Sequence, residues 1–279
     1  MKDFKNKVAV ITGAGSGIGR EIARQLAVEG CNLALVDVNP EGLAETAKQL
    51  EPTGVTISQH VVDVTDRERM MSLPDEVLQT HSNVNLLFNN AGISFQRSFE
   101  EMSIEDWELS LGINLWGVIY GSKAFLPLLK KAAGEGEENA HIVNLSSMAG
   151  FVGLPNQSSY SSSKAAVRSI SESLWTELKA LGIGVTSVHP GAIRTNIFNA
   201  HKDKNSNQKR ADEIAAKVDR FAMEPDQAAQ KIIQAVRKNK QRQLVGKDAV
   251  FFELMKRFMP STILKPFANI YAKGLKEQA

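Results

Sequence analysis

Seven short apolar runs, each parted from the next by a longer polar or amphipathic stretch, constrain this chain more than any other feature. They lie at Lys7–Thr12, Asn32–Asp37, Val55–Val62, Val84–Asn89, His141–Ser146, Val185–His189 and Gln243–Gly246. The runs are continuously apolar rather than alternating, so a strand made from any of them needs cover on both faces. Between them, Gly17–Glu29, Glu41–Leu50, Arg67–Thr80 and Ala165–Leu181 repeat their apolar residues at helical spacing. Strand and helix in alternation give crossover connections and a parallel sheet. The expected fold is α/β, one doubly wound domain over residues 1–279 with a seven-stranded parallel sheet and helices on both faces.

Composition narrows the function classes. Of 279 residues, 43% are hydrophobic and 23% charged, which excludes a disordered or fibrous chain. Lys and Arg number 33 against 31 Asp and Glu, so no overall field recruits nucleic acid. Cys31, the single cysteine, can close no intrachain disulfide, which fits a reducing compartment. Lys2, Lys5 and Lys7 precede only the short run Val8–Ile11, too brief for a secretory signal, and no run of 18 apolar residues exists. A soluble, cytoplasmic protein is expected.

The first run feeds Thr12-Gly13-Ala14-Gly15-Ser16-Gly17-Ile18-Gly19 and then a helix. In open α/β sheets this is the turn where a pyrophosphate meets free amides at a helix N-terminus, and glycines let the backbone approach it. The domain is therefore of Rossmann type. The effective glycines are Gly13, Gly17 and Gly19; a G-x-G-x-x-G from Gly13 fails at Ile18, and no Gly-Lys-Ser/Thr makes a P-loop. Asp37 ends the second strand 18 residues after Gly19, where an acidic residue accepts hydrogen bonds from an adenosine ribose. Its carboxylate repels a 2′-phosphate, and Ser16, Val38 and Asn39 supply no compensating cation, which favours NAD over NADP.

A second constellation carries chemistry. Tyr160 and Lys164, four apart at the start of a long helix, share one face. Lowering a phenol from about 10 to about 7 takes roughly 4 kcal/mol, which one cation about 4 Å away supplies at an effective dielectric near 20. Ser147 follows the fifth strand, 13 residues before Tyr160, and a hydroxyl at such a strand end faces the ligand crevice. Asn89-Asn90-Ala91-Gly92 closes the fourth strand, Asn114 falls in the helix after it, and His189-Pro190-Gly191 closes the sixth with Thr195 four residues on.

With these residues in this order, the sequence resembles the classical short-chain dehydrogenases/reductases from residue 5 to about 246. The resemblance implies that Tyr160 is the acid/base, that Lys164 lowers its pKa and binds the nicotinamide ribose, that Ser147 bonds the substrate oxygen and that Asn114 holds a relay water. It also implies that Gly13, Ser16, Gly17, Ile18 and Gly19 cradle the cofactor, and that Asp37, Asp63, Val64, Asn90, Ala91 and Gly92 flank its adenosine half. Pro190, Gly191, Ile193 and Thr195 would cover the nicotinamide. The implied activity is an alcohol dehydrogenase or ketone reductase using NAD and no metal, in a homo-oligomer (dimer or tetramer) built through helices such as Gly112–Lys131 and Ser158–Leu181.

The expected substrate pocket draws on Ile93–Phe95, Met148–Leu154, Ala192–Ile193 and a polar segment, 196–224, placed as a lid. Phe95, Met148, Phe151, Val152, Leu154, Ile193 and Phe198 make it apolar, favouring steroid-like, terpenoid or medium-chain alcohols and ketones over sugars. Residues 248–279 form an extension in which Val250, Phe251, Leu254, Met255 and Phe258 make a helical stripe, followed after Pro260 by Ile263, Leu264, Phe267, Ile270 and Tyr271, with an excess of lysine and arginine. It packs on the pocket, packs on a sister subunit or lies on a membrane surface. Three other functions stand beside the leading one: an NADP-dependent carbonyl reductase, a nucleotide-sugar epimerase or dehydratase, and a dinucleotide-sensing protein. The last predicts a damaged tetrad, and this one is intact.

Overall fold

Ala9 and Ile11 of the first strand pack into one apolar layer, whereas Val8 and Val10 pack into another. That two-sided burial organises the whole molecule. The computed structural model describes residues 1, 3–134, 139–195, 197, 222–266, 268, 269 and 272. Its strands are β1 (Val8–Thr12), β2 (Asn32–Asp37), β3 (Ile57–Val61), β4 (Leu86–Asn89), β5 (Ala140–Leu145), β6 (Ile183–Pro190) and β7 (Arg242–Val245). They form one seven-stranded sheet in the order β3-β2-β1-β4-β5-β6-β7, with every pairing parallel.

The helices among the described residues are α1 (Gly17–Val28), α2 (Pro40–Leu50), α3 (Arg67–Leu78), α4 (Ile104–Leu111), α5 (Gly117–Gly134), α6 (Ser158–Lys179), α7 (Pro225–Arg237) and α8 (Lys247–Phe258). Apolar stripes of α1, α2 and α7 cover one sheet face, and those of α3, α5 and α6 cover the other. Side-chain caps set several starts: Asn39 accepts from the Gly42 amide, Asp66 from Arg69, and Ser103 forms a capping box with Asp106.

Most elements shift by one or two residues at an end, and two of the changes have a plain physical reason. The fourth strand begins at Leu86 rather than Val84, because the Asn85 side chain itself accepts from the Val8 amide at 3.0 Å. The expected helix Gly112–Lys131 divides into a π-helical turn, Gly112–Trp116, and α5. Such turns are characteristic of functional sites. Strand order reverses between β1 and β4, the switch point at which the crevice of a doubly wound sheet opens beyond the strand C-termini.

Candidate active site

The crevice begins with the turn after β1. Gly13 and Gly17 hold φ of +68° and +52°, a region that excludes most side chains. A Cβ on Gly19 would stand 2.1 Å from the Gly13 carbonyl oxygen, so glycine there lets the turn fold onto itself. Asn90 closes it from β4: its side-chain amide donates to the carbonyls of Thr12 (2.9 Å) and Gly13 (3.2 Å). The backbone amides of Asn90 and Ala91 donate to the Thr12 hydroxyl at 3.0 and 3.1 Å. Asn90 thus braces the turn from behind.

Unlike α2, α3 and α4, α1 has no side-chain cap bond from its N-cap, Ser16, and no acid in its first turn. Its leading amides are free for an anion, and the helix dipole favours one. Asp37 lies beside the turn, its carboxylate accepting from the Gly15 amide at 2.8 Å and the Asn39 amide at 3.0 Å. Asp63 accepts from both the amide and the hydroxyl of Thr65 at 2.8 Å. Buried Val64 packs where Gly117 leaves room for it.

A cavity of about 750 Å³ runs from Asp37, Asp63 and Val64, past Gly13, Ser16, Gly17 and Ile18, to Ser147, Tyr160 and Lys164. Asn90, Ala91 and Gly92 border it on the β4 side; Pro190, Gly191, Ile193 and Thr195 border it on the β6 side. Gly19 and Asn114 support this surface from behind rather than lining it. A cavity of this volume, with a glycine cradle at one end and acceptors beside it, fits a dinucleotide.

At the far end three elements meet. Ser147 caps the short 3₁₀ turn Met148–Gly150, accepting from the Ala149 amide at 3.1 Å, which orients its hydroxyl. That hydroxyl donates to the Pro190 carbonyl at 3.5 Å, and Tyr160, from the first turn of α6, borders the same end of the cavity. One turn along, Lys164 is 2% exposed, and its Nζ donates to the Leu145 carbonyl at 2.8 Å. Asn114, from the π turn, accepts from the Ile93 amide and donates to the Ile93 carbonyl, both at 2.9 Å. Gly92 lies between the last two: a Cβ there would be 3.0 Å from Asn114 Oδ1 and 3.3 Å from Lys164 Nζ. All four residues of the expected tetrad therefore converge on one end of the cavity.

Burial dominates the electrostatics of this end. Burial pushes the Tyr160 phenol above its ordinary 10, and the Ser147 hydroxyl only partly opposes it. Burial also lowers Lys164 to about 8. The Lys164 ammonium is aimed at the Leu145 carbonyl and lies 5.7 Å from the Tyr160 ring centre.

The pocket lining differs in part from the expectation. Ile93, Met148, Leu154, Ala192 and Ile193 line the cavity as expected, joined by Ile113 and Ile197. Phe151 instead stacks on His189, ring centres 4.4 Å apart, while Phe95 and Val152 are buried in packing. Within the expected lid, Ile197 and residues 222–224 are described, and the Met223 amide bonds to the Ala192 carbonyl at 2.9 Å. Residue 196, residues 198–221 with Phe198, and Phe267, Ile270 and Tyr271 lie outside the described residues. His189 is a fully buried strand residue held by the Ser147 carbonyl (3.3 Å) and the Ser187 hydroxyl (3.0 Å). Among the described residues no group of three or more His, Cys, Asp or Glu could hold a metal ion, and no helix is long and apolar enough to cross a membrane.

Two features escaped the sequence reading. Asp248, in the first turn of α8, accepts from the Ala192 amide at 2.7 Å, beneath the loop that borders the cavity. Asn89 and Asn144, paired across β4 and β5, bond to each other at 2.8 Å and to Ser122 of α5 and Ser171 of α6. Two asparagines at facing strand ends were the available signal.

Known proteins extend the likeness. The family model for short chain dehydrogenases matches residues 7–206. SadH of Mycobacterium tuberculosis, named as an oxidoreductase, is 37% identical over 277 residues, with 98% of each chain covered. A short-chain dehydrogenase/reductase from Burkholderia phymatum, solved in complex with NAD, superposes with a TM-score of 0.83 at 30% identity, covering 92% of this chain and 95% of that one. An alcohol dehydrogenase from Thermococcus sibiricus, complexed with 5-hydroxy-NADP, superposes with a TM-score of 0.71 at 28% identity, covering 86% and 95%. The neighbours thus include binders of NAD and of an NADP derivative. With its sheet order, its glycine cradle and these matches, the chain belongs to the short-chain dehydrogenase/reductase family and is an oxidoreductase.

Proposed function

We propose that this protein is an NAD-dependent dehydrogenase or reductase acting on a secondary alcohol or its ketone, with Tyr160 as acid/base. One observation carries the reading: Ser147, Tyr160 and Lys164 together close the far end of a cavity that starts at the glycine cradle. Bound there, the nicotinamide cofactor would accept or deliver the hydride. Gly13, Ser16, Gly17, Ile18 and Gly19 would hold its pyrophosphate, with Asp37, Asp63, Val64 and Asn90 on the adenosine side. Lys164, Pro190, Gly191, Ile193 and Thr195 would take the other half.

The residues of the chain divide the rest of the work. Ser147 holds the substrate oxygen by a hydrogen bond from a hydroxyl already oriented by the Ala149 amide. Tyr160 takes the proton from an alcohol, or gives one to a carbonyl, at its phenolic oxygen. Burial raises the Tyr160 phenol and so favours its protonated form, and alcohol oxidation gains as pH rises. Asn114 fixes the Ile93 backbone on the floor of the pocket.

Ile93, Ile113, Met148, Leu154, Ile193 and Ile197 give the substrate end an apolar lining, which supports a bulky hydrocarbon alcohol over a sugar. NAD is favoured over NADP because Asp37 sits at the cradle with no cation beside it at Val38 or Asn39. The half-exposed Trp116, packed on Tyr120 at 5.6 Å, supports assembly into a homo-oligomer through the α5 face. Reduced-cofactor formation from NAD and from NADP across steroid, terpenoid, medium-chain and sugar alcohols tests the reading. Turnover with NAD on the apolar set is expected; preference for sugar alcohols or for NADP would overturn it.

A further inference from the structure

We propose that the outer face of α8 docks on an anionic lipid surface. Ala249 and Glu253 root the helix by its inner side. Both carboxylates of α8 are engaged within the protein: Asp248 accepts from the Ala192 amide, and Glu253 is paired with Arg257 at 2.5 Å and Arg242 at 3.3 Å. What remains outward is apolar and basic.

Val250, Phe251, Leu254 and Phe258 fall within about 100° of the helix circumference, and Phe251 and Phe258 are 56% and 75% exposed. After the turn at Pro260, exposed Leu264 extends the patch. Lys247 stands at the head of the stripe, and from Arg242 to Lys265 five cations face two carboxylates. A short helix with a phenylalanine-rich stripe and a basic surround is suited to the boundary between lipid headgroups and acyl chains. It has 12 residues, too few to cross a bilayer.

A second copy of the chain fits the same face poorly. In a two-fold contact the patch meets itself, which sets Lys247 against its own counterpart. Neither carboxylate of the helix is free to neutralise it, since Asp248 holds the Ala192 amide and Glu253 is paired with Arg242 and Arg257. The position of α8 gives docking a purpose, and only this consequence rests on the apolar-substrate reading. The helix packs on the 3₁₀ turn Met148–Gly150 and holds the Ala192 loop, so the docked face adjoins the apolar end of the cavity.

Flotation of the full chain with vesicles tests this directly, comparing phosphatidylcholine alone with equal parts phosphatidylcholine and phosphatidylglycerol. The expected result is at least about tenfold stronger partition onto the anionic vesicles, reversed by added salt. Phe251→Ser with Phe258→Ser should weaken that partition by about tenfold or more while leaving the melting temperature and sedimentation mass unchanged. Lys247→Glu with Lys265→Glu, which keeps the stripe, should abolish the preference for anionic lipid. Equal partition onto both vesicles, or none, would overturn the proposal. So would a doubly substituted phenylalanine variant whose mass falls by half, since a second copy would then be the occupant.

Discussion

The Asp248 carboxylate accepts a hydrogen bond from the Ala192 amide at 2.7 Å, tying the first turn of α8 to the loop that borders the cavity. Two glycines make the contact possible. A Cβ on Gly191 would lie 2.1 Å from the carboxylate, and one on Gly246, held at φ +111°, 2.3 Å from it. Asp248→Ala leaves the Ala192 amide without its partner and frees the loop carrying Ile193 and Thr195. It should lower kcat/KM about tenfold or more, whereas Asp248→Asn, which keeps an acceptor oxygen, should recover most of it. Steady-state kinetics on both variants decides the matter; equal losses would show that charge rather than loop position is at stake.

Asp37 has two tasks, bracing the Gly15 amide and facing the cavity. Asp37→Ser should therefore weaken both cofactors through the loosened turn, yet move the ratio of kcat/KM for NADP over NAD upward by about tenfold. The ratio is the informative quantity, because loop damage alone affects both cofactors alike. An unchanged ratio would place ribose recognition elsewhere.

Lys164 is costly to bury. With its pKa lowered from 10.5 to about 8 by desolvation, the folded protein carries a penalty of about 3 kcal/mol at neutral pH. The sign follows from proton counting. Below pH 8 folded and unfolded chains are both protonated and the penalty is complete; between 8 and 10.5 only the unfolded chain holds the proton, so stability climbs with pH. Lys164→Met should unfold at higher urea than the parent at pH 7, by roughly 1–3 kcal/mol, while losing turnover. The gap should close toward pH 10. A less stable variant at pH 7 would contradict the assignment.

Acid stability rests on two buried imidazoles. His141, bonded to the Thr186 hydroxyl at 2.8 Å, and His189 are each lowered to about 3 by burial. Between pH 6.5 and 3 the unfolded chain takes up protons that the folded chain refuses, so stability falls as pH falls. By pH 3 the loss is roughly 5 kcal/mol for each. His189→Gln should shift the acid unfolding midpoint, followed by circular dichroism, to lower pH than in the parent. A midpoint shifted upward would mean that packing on Phe151, not protonation, governs acid unfolding.

Most of the architecture was legible because continuous apolar runs report burial on both faces without reference to partners, as in β1, where all five residues are buried. The glycine turn and Tyr160–Lys164 were legible because their geometry is local, set by backbone angles or one helical turn. What was missed is non-local or short. Asp248 and Ala192 are 56 residues apart, and no pattern along the chain joins them. Phe151 reads as pocket lining by position, yet it stacks on His189, which only the fold reveals. Two helices were readable but passed over: α4 announces itself by the Ser103–Asp106 capping box, and α7 by Ala228, Ala229, Ile232, Ile233 and Val236 at helical spacing. The raised Tyr160 phenol was beyond sequence reading, since its cause is burial, which depends on the fold.

The central claim is that Tyr160 transfers the substrate proton at the end of a dinucleotide cavity. Tyr160→Phe removes one oxygen, the atom that moves the proton, and leaves the ring packing in place. Rates of NADH formation from the apolar alcohol panel, measured beside NADH binding by fluorescence, test it most directly. The account predicts a fall of about a thousandfold in turnover with binding close to the parent value. A variant retaining more than about a tenth of the parent rate, with binding intact, would contradict it.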